Sequence, residues 1–220
     1  MAVLYDNTIV INGVAITSLT TSAFTITSLP NRAGVLGLSV SNGNISGLNG
    51  NIGGVSPTPI TNADSGGAGQ RAIMQQVKNP PSGGQTASMS WTTSSDASLG
   101  VVTASGVDQT TPLINGNFAN GTSATTSVTI TSNNGDLTVD TVEVAQQATL
   151  TAPTQTQRWN VISGSTNQTG AGSTGPGTGT TTHQWTNLNA TWASVGANFK
   201  AAAVPQSIPL IPLLVVIPAV

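Results

Sequence analysis

Short runs of β-branched and other apolar residues alternate with Thr or Ser along most of the chain, and each run ends at Gly, Asn, Pro or Asp. A period of two is typical of half-buried strands, and no stretch sustains the 3.6-residue period of a helix. The clearest runs are 24–27, 35–40, 71–77, 86–91, 99–104, 126–131, 137–144, 158–162, 181–185 and 191–197. The pattern predicts an all-β protein, an antiparallel β-sandwich.

The Gly, Asn, Ser and Pro residues between the runs predict the turns and loops. Asn12-Gly13 inside the run 8–16 favours a two-residue hairpin turn, because both residue types tolerate positive φ. Residues 42–69 are rich in Asn, Gly, Ser and Pro, which indicates long loops with one irregular strand. Residues 163–180 have the composition of a flexible surface loop. The sequence shows no strict internal repeat.

The 220 residues are enough for one domain with a real core or for two small ones. Residues 1–32 are predicted to form either an independent N-terminal arm or the first strands of the sandwich. Residues 33–203 are the predicted sandwich domain. Residues 204–220 are an apolar, proline-rich C-terminal tail, so the sandwich is expected to carry extended arms at both ends.

The C-terminal tail is the strongest candidate for a contact with a partner. Its apolar stretch, 208–220, is shorter than the roughly 20 residues of a spanning helix, and Pro209, Pro212 and Pro218 disfavour any helix. Docking on another subunit is therefore favoured over packing on its own domain or anchoring in a membrane. The predicted partner-binding residues are Ile208, Leu210, Ile211, Leu213, Leu214, Val215, Val216 and Ile217.

Charge is scarce, since the chain has 5 Lys and Arg, 7 Asp and Glu and a net charge of −2. Such a chain lacks the basic surface that binds nucleic acid or an anionic membrane. The absence of Cys excludes disulfides and thiolate sites, and one His leaves few groups for catalysis. We therefore expect no enzymatic activity and no cofactor.

Four acidic residues are candidate sites. Asp108 is expected to cap an Asx turn, with a Ca²⁺ site as the alternative. Asp136, Asp140 and Glu143 form the densest acidic cluster. Asp140 and Glu143 have opposite parity in a strand, which argues against a glycosidase pair and favours solvated charges at a sheet edge.

The only histidine and the tryptophans complete the candidates. His183 is expected to be a surface or packing residue, because no nucleophile-elbow motif accompanies it. Trp91 and Trp192 are predicted to lie in the core. Trp159 and Trp185 flank the predicted loop 163–180 and are the candidates for an exposed surface or glycan contact.

Several strings between residues 33 and 203 carry a resemblance. The most distinctive are Ser105-Gly-Val-Asp-Gln-Thr-Thr-Pro112 and Thr191-Trp-Ala-Ser-Val-Gly-Ala197, supported by Ala33-Gly-Val-Leu-Gly-Leu-Ser-Val40 and Gly135-Asp-Leu-Thr-Val-Asp140. They resemble a β-sandwich domain family found in phage structural proteins and in environmental bacterial surface proteins. The resemblance implies a jelly-roll-like sandwich without a known catalytic centre.

Three functions follow as expectations. The first is a non-enzymatic virion protein, a phage capsid decoration or cement protein or a tail or fibre component, assembled in the host cytoplasm. The apolar tail and the absence of a signal peptide at Met1–Asn7 favour it. Its partners would be other virion proteins and further copies of itself, without nucleic acid or a membrane span. The alternatives are a secreted adhesion or carbohydrate-binding module and an extracellular filament subunit joined by donor strands.

Overall fold

A computed structural model describes residues 2–65, 69–151, 153–164 and 168–203, and for 61–63 it describes the backbone alone. Throughout these residues the regular structure is strand, in antiparallel sheets, and none of it is helix. The predicted all-β sandwich is confirmed. The tail 204–220, with its eight predicted partner-binding residues, lies outside the described residues.

Thirteen strands are present in the described parts of the chain. They are β1 Leu4–Thr20, β2 Phe24–Ile26, β3 Ala33–Val40, β4 Asn49–Ile52, β5 Thr58–Asp64, β6 Arg71–Lys78, β7 Gly83–Gln85, β8 Ala87–Ser105, β9 Leu113–Thr131, β10 Leu137–Val144, β11 Thr156–Ile162, β12 Thr169–Pro176 and β13 Thr180–Phe199. The predicted runs 86–91 and 99–104 are parts of one strand, β8, and 181–185 and 191–197 are both parts of β13.

Each half of the chain builds one sheet. The first sheet has the order β1-β8-β3-β6-β5, with β4 added on β8, and the second has the order β11-β12-β10-β13-β9. A small third sheet pairs β2 with β7. Residues 1–32 were predicted to be an arm or the first strands, and within them Leu4–Thr20 is β1, the edge strand of the first sheet.

The two halves repeat the same topology, although the sequence shows no repeat. If β1, β3, β5, β6 and β8 are matched with β9, β10, β11, β12 and β13, the two strand orders are identical. The pairing of the central strands is also similar. β3 pairs along its whole length with β6 and β8, whereas β10 pairs along its whole length with β13 and with β12 at 137–139 and 142–144. The sandwich is an internal duplication at the level of strand pairing.

The long strands bend and cover the outer faces of their own sheets. β8 pairs with β3 only through 97–104, and β13 pairs with β10 only through 192–199. The other ends run on beside β1 and β9, past register shifts at Gly13/Ile16 and Thr186/Ala190. β1 thus continues through Asn12-Gly13, and the predicted hairpin turn at that position is wrong. Bulges of this kind redirect a strand without ending it.

The overlying ends bury one cluster on each outer face. On the first sheet the cluster is apolar and includes Leu36, Leu38, Met89, Trp91 and Leu99. On the second sheet it contains Val142, Val144, Leu150, Ala171, Trp185 and Trp192. The predicted core positions of Trp91 and Trp192 are confirmed, with 4% and 7% of each residue exposed.

The main core lies between the two sheets, and Trp159 of the edge strand β11 belongs to it. Only 3% of Trp159 is exposed, and its ring lies between Gly100 of β8 and Gly172 of β12. A Cβ would come within 2.2 Å of the ring at Gly100 and within 2.1 Å at Gly172. The two glycines therefore allow the ring to fill the space where the sheets meet.

The predicted flexible loop at 163–180 and the predicted exposure of Trp159 and Trp185 are both wrong. Residues 163–180 were expected to be a flexible loop, but Thr169–Pro176 is β12, buried at all but its last residue. Its Gly and Thr are small because the strand lies against Trp159 and the first sheet. Trp159 and Trp185 were expected to be exposed, yet they are 3% and 0% exposed, because both rings are enclosed by packed strands.

Replacing Gly172 with Ala should destabilise the fold. The new Cβ would overlap the Trp159 ring, and overpacking of this kind costs about 1–3 kcal/mol. Chemical denaturation monitored by tryptophan fluorescence measures the change. Gly84→Ala is the matched control, since a Cβ there meets nothing within 4 Å. Equal stability of the two variants would contradict the proposed role of the ring.

Candidate functional site

Asp140, Ser173 and His183 meet in one buried cluster on the outer side of the second sheet. All three residues are 0% exposed. The Asp140 Oδ1 atom accepts hydrogen bonds from the backbone N–H of Ser173 at 2.6 Å and from its hydroxyl at 2.7 Å. The Trp185 indole N–H donates to the other carboxylate oxygen at 2.8 Å. His183 Nδ1 lies 2.8 Å from Ser173 Oγ and 3.4 Å from Asp140 Oδ1.

This trio has the residue types of a hydrolase triad but a different geometry. In a triad the serine and the aspartate contact opposite nitrogens of the imidazole. Here Ser173 and Asp140 are both on the Nδ1 side, and His183 Nε2 is 2.9 Å from the Thr138 hydroxyl. The Thr138 hydroxyl itself donates to the Gly175 carbonyl at 2.9 Å. The arrangement joins β10, β12 and the overlying end of β13, and its serine is fully buried.

The predicted position of the acidic cluster at a sheet edge is wrong. β10 is the central strand of its sheet, so Asp140 and Glu143 are each 0% exposed and Asp136 is 6% exposed. The predicted opposite facing of Asp140 and Glu143 agrees with their contacts. Asp140 contacts the outer layer, whereas Glu143 accepts a 2.6 Å hydrogen bond from Gln168, whose amide also reaches the Ser39 carbonyl of β3.

The surroundings of Glu143 favour its neutral form over its charged form. Burial raises its pKa well above the usual 4.5, Asp96 raises it further, and the hydrogen bond from Gln168 lowers it in part. No sequence signal marked this residue as buried, because the strand 137–144 alternates polar and apolar residues as an exposed strand does.

The end of β13 leads to a third group of contacts, which we call the C-terminal exit. It consists of Lys200–Ala203 and of the residues that form hydrogen bonds with their backbone, namely Gly106, Asp108, Pro112 and Asp136. The Lys200 backbone donates to the Pro112 carbonyl at 2.9 Å, and its own carbonyl accepts from the Asp108 N–H at 2.8 Å. The Ala201 N–H donates to Asp136 Oδ1 and the Ala202 N–H to the Gly106 carbonyl. Four backbone hydrogen bonds therefore fix the chain directly before residue 204.

Asp108 and Asp136 position these partners. Asp108 accepts hydrogen bonds from the N–H groups of Thr110 and Thr111 at 2.7 and 3.0 Å, which is the predicted Asx-type turn. The bonds from Thr111 and Thr110 and the Lys200 ammonium, 3.1 Å away, lower its pKa. Asp136 also accepts from the side chain of Asn198 at 2.7 Å. The distinctive string 105–112 is thus one wall of the exit.

An apolar patch adjoins the exit. Leu4 and Leu29 are 57% and 46% exposed, and a cavity of about 100 Å³ lies between them. The cavity is lined by Ala2, Leu4, Leu29, Pro30, Ser105 and Gly106, and we call these six residues the exit patch. No residue of the exit patch carries a charge. Gly106 belongs to both the patch and the exit, so the two are contiguous.

Comparisons with known proteins identify no family. No protein-family model matches this sequence, and no curated protein matches it either. Within the described ranges no group of three or more His, Asp and Glu side chains could hold a metal ion. In those same residues no helix has the length and apolar character needed to cross a membrane.

Glu143 should make the stability of the wild-type protein fall as pH rises. Its folded pKa is raised, so the folded state retains a proton that the unfolded state has lost. The free energy of unfolding should therefore decrease from near pH 4.5 until the folded pKa is passed, by at most about 1.4 kcal/mol per pH unit. Urea denaturation between pH 5 and 9 measures this slope.

Glu143→Gln should remove that part of the slope, because glutamine does not ionise and its carbonyl can still accept from Gln168. Asp64→Asn, which changes a half-exposed carboxylate, is the control and should keep the wild-type slope above pH 5. A Glu143→Gln protein with an unchanged slope would show that another group is responsible.

Proposed function

We propose that this protein is a non-enzymatic structural component of a virion, a phage capsid decoration or cement protein or a part of the tail or fibre, which docks through its apolar C-terminal segment. Its partners are capsid or tail subunits together with further copies of the same chain. The proposed partners do not include nucleic acid. Assembly takes place in the host cytoplasm.

The observation that carries the proposal is the fixed origin of the apolar segment. The backbone groups of Lys200, Ala201 and Ala202 form four hydrogen bonds, whose partners are Gly106, Asp108, Pro112 and the carboxylate of Asp136. Fixed residues directly before a docking segment keep its tether short. If those residues were unfolded, the tether would be longer and the effective concentration of the segment at its target would be lower.

The free energy available from burying the apolar side chains of the segment supports the same function. Burying one Leu or Ile side chain contributes about 1.5–3 kcal/mol, so half of the eight candidates would offset much of the entropy lost on ordering the segment. The scarcity of charge also fits close packing against other subunits, since few ionic groups need to lose their hydration at an interface.

The alternatives rest on fewer observations. A carbohydrate-binding module would use exposed aromatic rings, but all four tryptophans are buried, and Phe118, 47% exposed, is the large exposed aromatic side chain among the described residues. A filament subunit joined by donor strands also uses an apolar segment, and it differs from the first proposal in the partner and in an extracellular location. The experiment below distinguishes these functions by where the protein is recovered.

The full chain should be recovered with purified particles from cells that produce it, and a variant with Leu213→Asp and Leu214→Asp should be depleted at least tenfold. Two charges in the apolar segment oppose its burial. Quantitative mass spectrometry of gradient-purified particles gives the occupancy. Leu188→Asp is the control, because Leu188 is 71% exposed on the bend of β13 and far along the strand from the exit.

Normal occupancy of the double variant would overturn docking through the segment. Recovery of the wild-type protein in extracellular filaments, and not in particles, would replace the virion function with the filament function. Retention on immobilised glycans by the wild-type chain, with no particle association, would favour the adhesion module.

A further inference from the structure

A cavity of about 320 Å³ lies at the end of the sandwich where β1 and β10 begin and β12 ends. Its walls come from the residues before β1 and from β10, β11 and β12, and we call it the Arg158 cavity, because Arg158 of β11 is the cationic residue that lines it. Much of the remaining wall is apolar and consists of Ala2, Val3, Leu137 and Pro176.

Two contacts fix the guanidinium of Arg158. Its central carbon lies 3.5 Å from the centre of the Tyr5 ring, and its Nε donates a hydrogen bond to the Thr174 hydroxyl at 2.7 Å. These contacts use one face of the guanidinium and one of its five N–H groups. Among the described residues, the four N–H groups on Nη1 and Nη2 have no hydrogen-bond or ion-pair partner.

The other cations are placed differently. Arg71 and Lys200 each pair with an aspartate, Arg32 donates through Nε and Nη1 to two backbone carbonyls, and Lys78 is exposed. Arg158 is half-buried and fixed, yet no described carboxylate pairs with it. A guanidinium whose two terminal nitrogens are both available matches the two oxygens of a carboxylate.

The size and the walls of the Arg158 cavity favour an organic anion over an inorganic one. The cavity has about twice the roughly 150 Å³ that hold one benzene, so a ligand of up to about a dozen non-hydrogen atoms fits. An inorganic ion would leave the apolar walls without contact, whereas an aliphatic body would cover them and lose its own exposure to water.

The charges in the wall favour one carboxylate over two. Asp136 lines the same cavity, and its oxygens accept hydrogen bonds from the N–H groups of Asn133, Asn198 and Ala201. This carboxylate repels any second negative charge on the ligand, and one guanidinium balances a single carboxylate.

We propose that the Arg158 cavity binds a small aliphatic monocarboxylate. The carboxylate of the ligand accepts hydrogen bonds from Nη1 and Nη2 of Arg158, and its aliphatic body lies against the apolar walls. The hydroxyls of Thr156 and Thr174 line the same cavity and supply further donors. All residues of this site precede the segment 204–220, so the proposal does not rest on the proposed docking function.

The test is a titration of the ¹⁵N-labelled full chain with hexanoate, followed by NMR. The Nε–H signal of Arg158, identified by its loss in Arg158→Gln, should shift and saturate with a Kd of about 1 mM, a value within the range for eight non-hydrogen atoms. The Nε–H signals of Arg32 and Arg71 should stay in place. Hexan-1-ol, which lacks the charge, and adipate, which adds a second carboxylate, should each bind at least about tenfold more weakly.

Variants locate the site. Arg158→Gln should weaken hexanoate binding at least about tenfold, measured from the backbone amide signals of Gly135 and Gly175, which line the cavity. Lys78→Gln is the matched control, because it removes the same charge from an exposed residue outside the cavity and should keep the wild-type Kd. If circular dichroism shows that Arg158→Gln does not fold, Arg158→Lys replaces it. That variant keeps the charge but loses the two-nitrogen fork, so it should weaken binding at least about threefold.

Several results would overturn the proposal. They are the absence of saturable hexanoate binding up to about 20 mM, an unchanged Kd in the Arg158 variant, and equal binding of hexan-1-ol. Adipate that binds as tightly as hexanoate would show that the choice of a monocarboxylate is wrong. The virion function is tested separately, by the occupancy of particles, and its failure leaves this site unaffected.

Discussion

The close approach of the two sheets around Trp159 is the constraint on which the rest of the structure depends. The ring fills the gap between β8 and β12 only because Gly100 and Gly172 lack a Cβ. The same requirement continues along the interface, where a Cβ at Gly37 would overlap Thr141 and one at Gly170 would overlap Ser98. A large aromatic residue opposed by small residues is one way to pack two sheets at native density.

The two halves share one strand order, but they fill the outer faces of their sheets with different side chains. Leu36 and Asp140 are the fourth residues of β3 and β10, which hold equivalent places in their sheets. Leu36 belongs to an apolar cluster, whereas Asp140 accepts hydrogen bonds from Ser173 and Trp185. A buried carboxylate is tolerated only when its oxygens are satisfied. The overlying end of β13 supplies the Trp185 indole for that purpose, and β12 supplies the backbone N–H and hydroxyl of Ser173.

Alternation predicted most of the strands, since β3, β6, β10 and β11 coincide with runs visible in the sequence. It failed where the reason for a residue lay in another strand. β12 consists of Gly, Ala, Ser, Thr and Pro, as a linker does, and its composition is explained only by the rings and sheets against it. Asp140 and Glu143 were misplaced for the same reason, because the hydrophobic period of a strand does not reveal whether the strand lies at the centre or the edge of its sheet. The Asx turn at Asp108 was predictable because it is local to the chain.

The aspartates show what the few charges of this protein do. Asp6, Asp96, Asp108, Asp136 and Asp140 each accept a hydrogen bond from a backbone N–H, and Asp64 pairs with Arg71. Carboxylates placed in this way organise turns, bulges and strand ends, because a charge-assisted hydrogen bond is stronger than a neutral one. The exterior is left to Thr, Ser and Asn, which hydrogen-bond without carrying charge. A surface with so few charges exerts little long-range electrostatic attraction, so the contacts it makes depend on shape and on short-range apolar and hydrogen-bonding groups.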